Sequence, residues 1–267
     1  MNIDSAWVFA DMFGQIDVFM LVMVRILGFM IMVPVISGQT IPMASRMAFA
    51  FVCSIVVMTS GSVVAPESLN LLDYFFVILN EFTAGFLIGF TVSLMFSIFH
   101  MIGQQTDYQI GFTMVSVQDP ITQVQTPITG NLIYFTFLVF FVTQGGFTLI
   151  MMFTLSTYHV IPVGNAFILG NSDLVFTILN MLGTYLDLGL RFSLPIIAVI
   201  TVINVALGIL VKAVPQMNVF VVGLPTKVAV GLMGIMMLVP FWYDAIYTPF
   251  TEILYDNIIA VVNRMMR

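Results

Sequence analysis

The sequence predicts an all-α, polytopic integral membrane protein of six or seven hydrophobic helices, on three observations. Charged residues make up only 7% of the chain and hydrophobic residues 60%, whereas a water-soluble domain needs about a quarter of its residues charged. Apolar runs of about 20 residues, the length that crosses a bilayer as a helix, recur along the chain. Short Gly-, Pro- and Asn-bearing connections separate several of them. Most of the surface must therefore face membrane lipid or other membrane subunits.

Seven apolar runs are candidate membrane helices, and two of them are unusual. In order, the runs cover residues 16–36, 44–65, 74–102, 131–154, 174–211, 219–243 and 246–264. The fifth run is too long for one straight span and contains Pro195, which favours either a bent helix or a tight hairpin. The last run is less apolar, with Glu252 and Asp256, and is placed either at an interface or across the membrane. The expected number of spans is therefore six or seven.

Among the charged residues of these apolar runs, four are of interest because a lone charge at the bilayer centre costs about 3 kcal/mol. They are Arg25, Glu81, Asp187 and Arg191. Asp187 and Arg191 are four residues apart, so on a helix they share a face and can neutralise each other. We interpret all four as packing residues rather than as an ion or proton path, because no acidic ladder or series of histidines accompanies them.

Small residues mark one face of the third run. Gly85 and Gly89 are followed at the same four-residue spacing by Ser93 and Ser97. This spacing lets two helix backbones approach closely, so it predicts a packed face without identifying the partner helix.

A long connection, Gly103 to Pro127, differs from the others, and we call it the central segment. Connections of this length are usually functional or disordered. Six glutamines and several threonines surround an apolar cluster formed by Phe112, Met114, Val115 and Val117. One interpretation is a surface loop with incidental apolar residues. The alternative is a segment packed inside protein or plugging a cavity, since irregular backbone at membrane depth needs protein or water around it.

Motifs for catalysis and ligand binding are missing from the sequence. It has no zinc-protease, serine-hydrolase or nucleotide-binding signature, and its one cysteine, Cys53, cannot form a metal-binding pair. His100 and His159 are isolated, and we interpret each as a helix-terminus residue rather than a base. We therefore expect no enzyme activity, no metal and no cofactor. The thinly spread net charge of −6 also provides no basic patch for nucleic acid.

The order of several motifs resembles the FliR family of flagellar export components. The most specific is KAVPQMNVFVVGLPTK, residues 212–227, whose centre is formed by Pro215, Gln216, Met217, Asn218 and Phe220. VRILGFMIMVPVISGQTIP, residues 24–42, is similar to the family's arginine-bearing helix. The family's glutamate–glycine helix is similar to residues 80–90, NEFTAGFLIGF. The stretch before the family's central loop is similar to residues 103–120, GQQTDYQIGFTMVSVQDP. The resemblance extends over nearly the whole chain.

This resemblance implies a FliP-like front fused to a FliQ-like rear. Residues 1–173 would form the FliP-like helical region, and residues 174–267 a FliQ-like helical hairpin region with a C-terminal tail. Family members carry a loop that plugs the channel from within, which here would be the central segment. Its plug residues would be Gly111, Phe112, Met114, Val115 and Val117, since apolar side chains in a narrow pore form a dry constriction.

The implied function is that of a subunit of the flagellar type III protein export gate. FliP-like and FliQ-like membrane subunits would form the channel with it, with FlhB-like and FlhA-like export components as further partners. Unfolded flagellar proteins would pass through this channel in the bacterial inner membrane, at the flagellar basal body. The equivalent subunit of a virulence injectisome is an alternative. A small-molecule transporter would need repeats around a midplane charge site, and an intramembrane enzyme a catalytic dyad on facing helices.

Overall fold

The computed structural model describes residues 16–38, 41–60, 70–112, 128–165, 171–216 and 218–266, which form eight α-helices and no strand. The predicted all-α fold class is confirmed. The helices are α1 (Ile16–Met32), α2 (Pro34–Ser37), α3 (Met43–Thr59), α4 (Leu71–Ile110), α5 (Ile128–Thr143), α6 (Gly146–Val160), α7 (Ser172–Ala213) and α8 (Val219–Met265).

The first predicted run, residues 16–36, is divided by a proline. α1 ends at Met32 and Pro34 opens α2, because proline has no N–H to continue a helix but suits the first turn of a new one. α1 packs against α3, where the rings of Phe19 and Phe51 meet edge to face at 5.3 Å. The chain therefore begins with a broken element packed on its neighbour.

The third predicted run is longer than expected. α4 has 40 residues and continues through Ile110, so Gly103 to Ile110 are helical. The prediction of an irregular connection starting at Gly103 was wrong for these eight residues. The helix ends at Gly111, whose φ of 94° is the left-handed conformation that glycine adopts without strain.

The fourth predicted run, residues 131–154, is two helices. α5 and α6 are bent by 69° at a short break, and Gly145 in that break has a φ of 77°. A side chain at this φ would be strained, so the Gly145–Gly146 pair is where the chain can turn. One continuous helix was the wrong prediction here, because the break lies inside an apolar run.

The last three predicted runs form two long helices. α7 has 42 residues and continues across Pro195, so the tight-hairpin alternative was wrong. α8 has 47 residues and joins the runs 219–243 and 246–264, so the separation of these two runs was also wrong. Near the start of α7, the Asn171 amide donates to the carbonyl of Arg264, and Arg264 pairs with Asp173. The start of α7 and the end of α8 therefore lie next to each other in the first compact unit.

Three described helices are long and apolar enough to cross a bilayer by themselves: α4, α7 and the part of α8 from Val221 to Trp242. α5 and α6 add a fourth if they count as one broken span. The chain is therefore a polytopic membrane protein. In α7 and in that part of α8, only 17% of the most apolar window is buried, against 56% in α4. The described residues leave most of the apolar surface of these two helices uncovered.

The described chain divides into two compact units, each built from separate parts of the sequence. One contains the described residues of Met1–Leu94, Phe141–Met181 and Leu254–Arg267. The other contains those of Met95–Phe140 and Leu182–Ile253. This division by contacts does not follow the predicted boundary at residues 173 and 174. The FliP-like and FliQ-like regions were assigned by resemblance, and that assignment stays a prediction.

The small-residue face of α4 packs against α1. A Cβ added to Gly85 would overlap the carbonyl of Arg25, and one added to Gly89 would overlap the carbonyl of Phe29. Glycine is therefore required for the two backbones to lie this close, as the four-residue spacing predicts. The partner helix, which the sequence could not identify, is within the same chain. This close approach brings Arg25 next to the α4 residue Glu81.

Candidate functional site

Arg25 of α1 and Glu81 of α4 form an ion pair in the first unit, with both side chains completely buried. The guanidinium Nε donates to Glu81 Oε2 at 2.5 Å, and Nη2 donates to Oε1 at 3.0 Å. Such a bidentate arrangement fits the planar fork of arginine to the two oxygens of a carboxylate. Each charge inside the apolar helix pair is therefore neutralised by the other.

The same two side chains hold the backbone that follows α6. Arg25 Nη1 donates to the carbonyl of Ile161 at 3.0 Å. The N–H of Gly164 donates to Glu81 Oε1 at 2.8 Å. Gly164 has a φ of 90°, so the chain turns at this point. The ion pair therefore fixes three parts of the chain: α1, α4 and the turn after α6.

Tyr158 of α6 completes the arrangement. Arg25 Cζ lies 4.4 Å from the centroid of its ring, which is the geometry of a cation–π contact. The Tyr158 hydroxyl donates to the carbonyl of Val22 at 2.9 Å. We call Arg25, Glu81 and Tyr158 the buried charge cluster. Its polar groups have partners inside the chain, which is the arrangement expected of a packing element.

Asp187 and Arg191 form the second ion pair, at 2.8 Å between Asp187 Oδ2 and Arg191 Nε within α7. The pairing that their spacing indicates is present. Their side chains are 56% and 71% exposed, respectively. Leu186, Leu190 and Leu194, on the same stretch of helix, are also exposed. This pair therefore lies on an apolar surface that the chain does not cover, and its role in packing stays a prediction.

Because Gly103 to Ile110 belong to α4, the name central segment is kept from here on for residues 111–127, which follow the end of α4. The N–H groups of Gly111 and Phe112 both donate to the carbonyl of Asp107, at 3.0 and 3.1 Å. The other predicted plug residues, Met114, Val115 and Val117, lie outside the described residues. The structure therefore places the start of the predicted plug at a helix end, and the plug function stays a prediction.

Asp107 connects the end of α4 to the start of α5. Its carboxylate is buried and accepts the backbone N–H of Thr129 at 3.1 Å and that of Gly130 at 3.4 Å. The Thr129 hydroxyl lies 2.5 Å from Asp107 Oδ1 and 3.0 Å from the carbonyl of Gly103. A carboxylate at the first turn of a helix satisfies free N–H groups and interacts favourably with the helix dipole. Asp107 therefore caps α5 from a different helix.

A cavity of about 390 Å³ adjoins the same end of α4. Its lining combines apolar and polar side chains from α4, α7 and α8, including Gln109, Asn204, Leu207, Leu224 and Lys227. No carboxylate among the described residues lies within ion-pair distance of Lys227.

The family-motif residues lie between α7 and α8. Pro215 and Gln216 form a turn, and the carbonyl of Asn218 accepts the N–H groups of Val221 and Val222 at the start of α8. Met217 and the side chain of Phe220 lie outside the described part of the chain. The described part of the motif therefore makes the connection between the two longest helices.

Sequence reasoning missed Tyr158, Asp107 and Thr129. Tyr158 is 133 positions beyond its cation, a separation that no local pattern reveals. Asp107 was counted as part of an irregular connection, although an Asp within a helical run followed by a Thr-Gly helix start was visible. Glu81 was identified as a packing residue, but its pairing with Arg25 could not be assigned from positions 56 residues apart.

Comparison with known proteins identifies relatives over most of the chain. The family model "Bacterial export proteins, family 1" matches residues 16–253. The flagellar biosynthetic protein FliR of Bacillus subtilis is 30% identical over 215 residues, which is 80% of this chain and 82% of the relative. FliR of Escherichia coli is 24% identical over 88% of this chain and 87% of its own length. The surface presentation of antigens protein SpaR of Shigella flexneri is 29% identical, over 84% of this chain and 85% of the relative.

Proposed function

Because the chain belongs to family 1 of the bacterial export proteins, we propose that it is a subunit of the flagellar type III protein export gate. In this proposal FliP-like and FliQ-like membrane subunits complete a channel with it in the bacterial inner membrane, at the flagellar basal body. FlhB-like and FlhA-like components are its further partners. Unfolded flagellar proteins cross the membrane through this channel.

The observation that carries the proposal is the family match from residue 16 to residue 253, which includes most of both compact units. The relatives in Bacillus subtilis and Escherichia coli are both named as flagellar biosynthetic proteins. The exposed Asp187–Arg191 pair on the apolar face of α7 supports an assembled state, since lipid alone solvates charged side chains poorly.

The match to SpaR supports a second candidate, the corresponding subunit of a virulence injectisome. SpaR is 29% identical over 231 residues, close to the value for the Bacillus subtilis relative. Both candidates are protein export subunits, and they differ in the substrate that is exported. Flagellar proteins and injectisome proteins appearing in the growth medium therefore distinguish the two.

Within this function, the central segment is proposed to hold ions back while the gate is at rest. Apolar side chains at Phe112, Met114 and Val117 can form a dry constriction, because water leaves a narrow apolar pore. Methionine is flexible and can repack around varied passing side chains. The chain performs no chemical step in this proposal, and the energy for transport comes from other components.

A secretion assay tests the function directly. The gene for this chain is deleted, and the growth medium is analysed for flagellar and injectisome proteins with and without the wild-type chain restored. We expect flagellar proteins to disappear on deletion and to return on restoration. Loss of injectisome proteins alone would support the second candidate. Unchanged secretion of both classes would overturn the export function.

A deletion of Gly111 to Val117 tests the plug assignment. Helix α4 ends before this deletion and α5 begins after it, so both helices stay complete and the complex should still assemble. Removing the apolar residues should increase ion conductance of the assembled complex in a planar bilayer. Equal conductance of deletion and wild type, with assembly verified by size, would show that the central segment does not close the channel.

A further inference from the structure

We propose that Asp107 is a positioning residue that ties the end of α4 to the start of α5 and so fixes the base of the central segment. The contacts that carry this proposal lie entirely within the second compact unit. They connect residues that are 22 and 23 positions apart, on either side of residues 111–127. The consequence for channel closure rests on the proposed function.

The first element of this base is the buried Asp107 carboxylate. It accepts two backbone N–H groups, those of Thr129 and Gly130, at the N-terminus of α5. Those N–H groups have no partner within their own helix, because the first four donors of any α-helix lack one. Asp107 supplies acceptors from α4, so the start of α5 is satisfied only while the two helix ends stay together.

The second element is the Thr129 hydroxyl. It lies within hydrogen-bond distance of both Asp107 Oδ1 and the carbonyl of Gly103. Gly103 is one helical turn before Asp107, so Thr129 contacts two successive turns of α4. This second point of attachment restricts rotation of α5 about the Asp107 carboxylate.

The third element is a close backbone crossing. A Cβ added to Gly103 would overlap Cα of Gly130, so the two backbones are in direct contact at this point. Such an approach is possible only with glycine and brings the polar groups within reach of each other. The crossing sets the distance between the helices, and the carboxylate sets which turns of α4 and α5 face each other.

Together these contacts distinguish Asp107 from its neighbour Thr106, which is equally buried. The Thr106 hydroxyl donates to the carbonyl of Ile102 within α4 and makes no hydrogen bond to α5 among the described residues. Asp107 therefore acts between two helices, and Thr106 acts inside one. Thr106 provides a matched control for substitutions at the adjacent position.

The test compares Asp107→Ala, Asp107→Asn and Thr106→Val in the assembled complex. Loss of a helix cap typically lowers the ratio of formed to unformed helix start about fivefold. We expect Asp107→Ala to loosen the start of α5 by about this factor and so to raise ion conductance above the wild-type level. Asp107→Asn should have a smaller effect, since its amide oxygen still accepts one N–H group. Thr106→Val should leave conductance at the wild-type level with the same assembly yield.

A second measurement reports on the base independently of the channel. Spin labels are placed at the exposed positions Gln104 and Leu132, in a Cys53→Ala background, and the label distance is measured in the complex. Asp107→Ala should broaden the distance distribution, and Thr106→Val should not. A distribution unchanged by Asp107→Ala would overturn the positioning role.

The outcomes separate this inference from the proposed function. If deleting Gly111 to Val117 increases conductance but Asp107→Ala does not, the plug assignment stands and the positioning of the plug by Asp107 is refuted. If the deletion leaves conductance unchanged while Asp107→Ala broadens the label distances, Asp107 ties the two helices and the plug assignment fails. Equal conductance of Asp107→Ala and Thr106→Val, both raised, would show a general packing effect and overturn the proposal.

Discussion

The two arginine–carboxylate pairs of this chain use the same chemistry in opposite environments. Arg25 and Glu81 join α1 to α4 and are completely buried. Asp187 and Arg191 are one turn apart on α7 and mostly exposed. The buried pair has additional partners on the backbone at Ile161 and Gly164. The exposed pair is surrounded by leucines that the chain leaves uncovered.

This difference separates what the chain stabilises by itself from what it leaves for other molecules. Burying two charges is costly, and the cost is offset only where geometry and further hydrogen bonds are good, as they are around Arg25. An exposed pair in water contributes about 0–1 kcal/mol. On an apolar membrane helix, however, the Asp187–Arg191 pair would face lipid unless another subunit covers it. We therefore expect the first pair to govern folding and the second to govern assembly.

The largest effect is expected from Glu81→Gln. This substitution keeps the shape of the side chain but leaves the Arg25 charge buried and unpaired, which typically costs about 3–5 kcal/mol. The measurement is protease resistance of the chain in isolated membranes, because cleavage follows the population of opened molecules. Glu252→Gln makes the same chemical change at an exposed carboxylate and should leave resistance unchanged.

A double substitution sharpens this result. Arg25→Met combined with Glu81→Gln removes both charges, so its loss of resistance should be smaller than the sum of the two single losses. Some loss should remain, because the carbonyl of Ile161 loses its donor. Strictly additive losses would mean that the two residues do not stabilise each other.

A smaller effect is expected from Tyr158→Phe. The ring stays beneath Arg25, so the cation–π contact is kept, and only the hydrogen bond to the carbonyl of Val22 is lost. A net loss of about 1 kcal/mol is typical of one such bond. The same protease assay applies, with Tyr108→Phe as the control at an exposed tyrosine. A loss as large as that of Glu81→Gln would indicate that Tyr158 does more than support the ion pair.

The smallest effect on the chain alone is expected at the exposed pair. In the separately expressed chain, Asp187→Ala and Arg191→Ala should each lower protease resistance less than Glu81→Gln does, because the remaining charged side chain is exposed and not enclosed by the protein. In the presence of FliP-like and FliQ-like subunits, each should reduce the yield of the complex, and the double variant should lose less than the sum. Yields that stay at the wild-type level for all three variants would remove the assembly role of this pair.

The sequence predicted the fold class because composition and hydropathy act over the whole chain. It also predicted the contact face of Gly85 and Gly89, since four-residue spacing is a local pattern. The positions at which helices begin and end were harder to predict. The runs 219–243 and 246–264 were expected to be separate helices, but α8 is continuous through residues 244 and 245. The Gly145–Gly146 pair is a turn signal that was missed within apolar sequence on both sides.

The candidate sites could be predicted only in part, because they depend on contacts between positions that are far apart in the sequence. Arg25, Glu81 and Tyr158 come from three helices, and nothing in their local sequences selects them as one cluster. Asp107 was hidden for a different reason. The apolar residues that follow it directed attention to the central segment itself, whereas the contacts that fix its base lie in the flanking helices.

Copurification tests the central claim, that this chain is completed by other membrane subunits, most directly. The chain is expressed in bacterial membranes alone and together with FliP-like and FliQ-like subunits, then extracted in detergent and analysed by size. We expect disperse material from the chain alone, because α7 and α8 leave their apolar faces uncovered, and a single defined complex when the partners are present. A stable monomer that binds neither partner would contradict the claim.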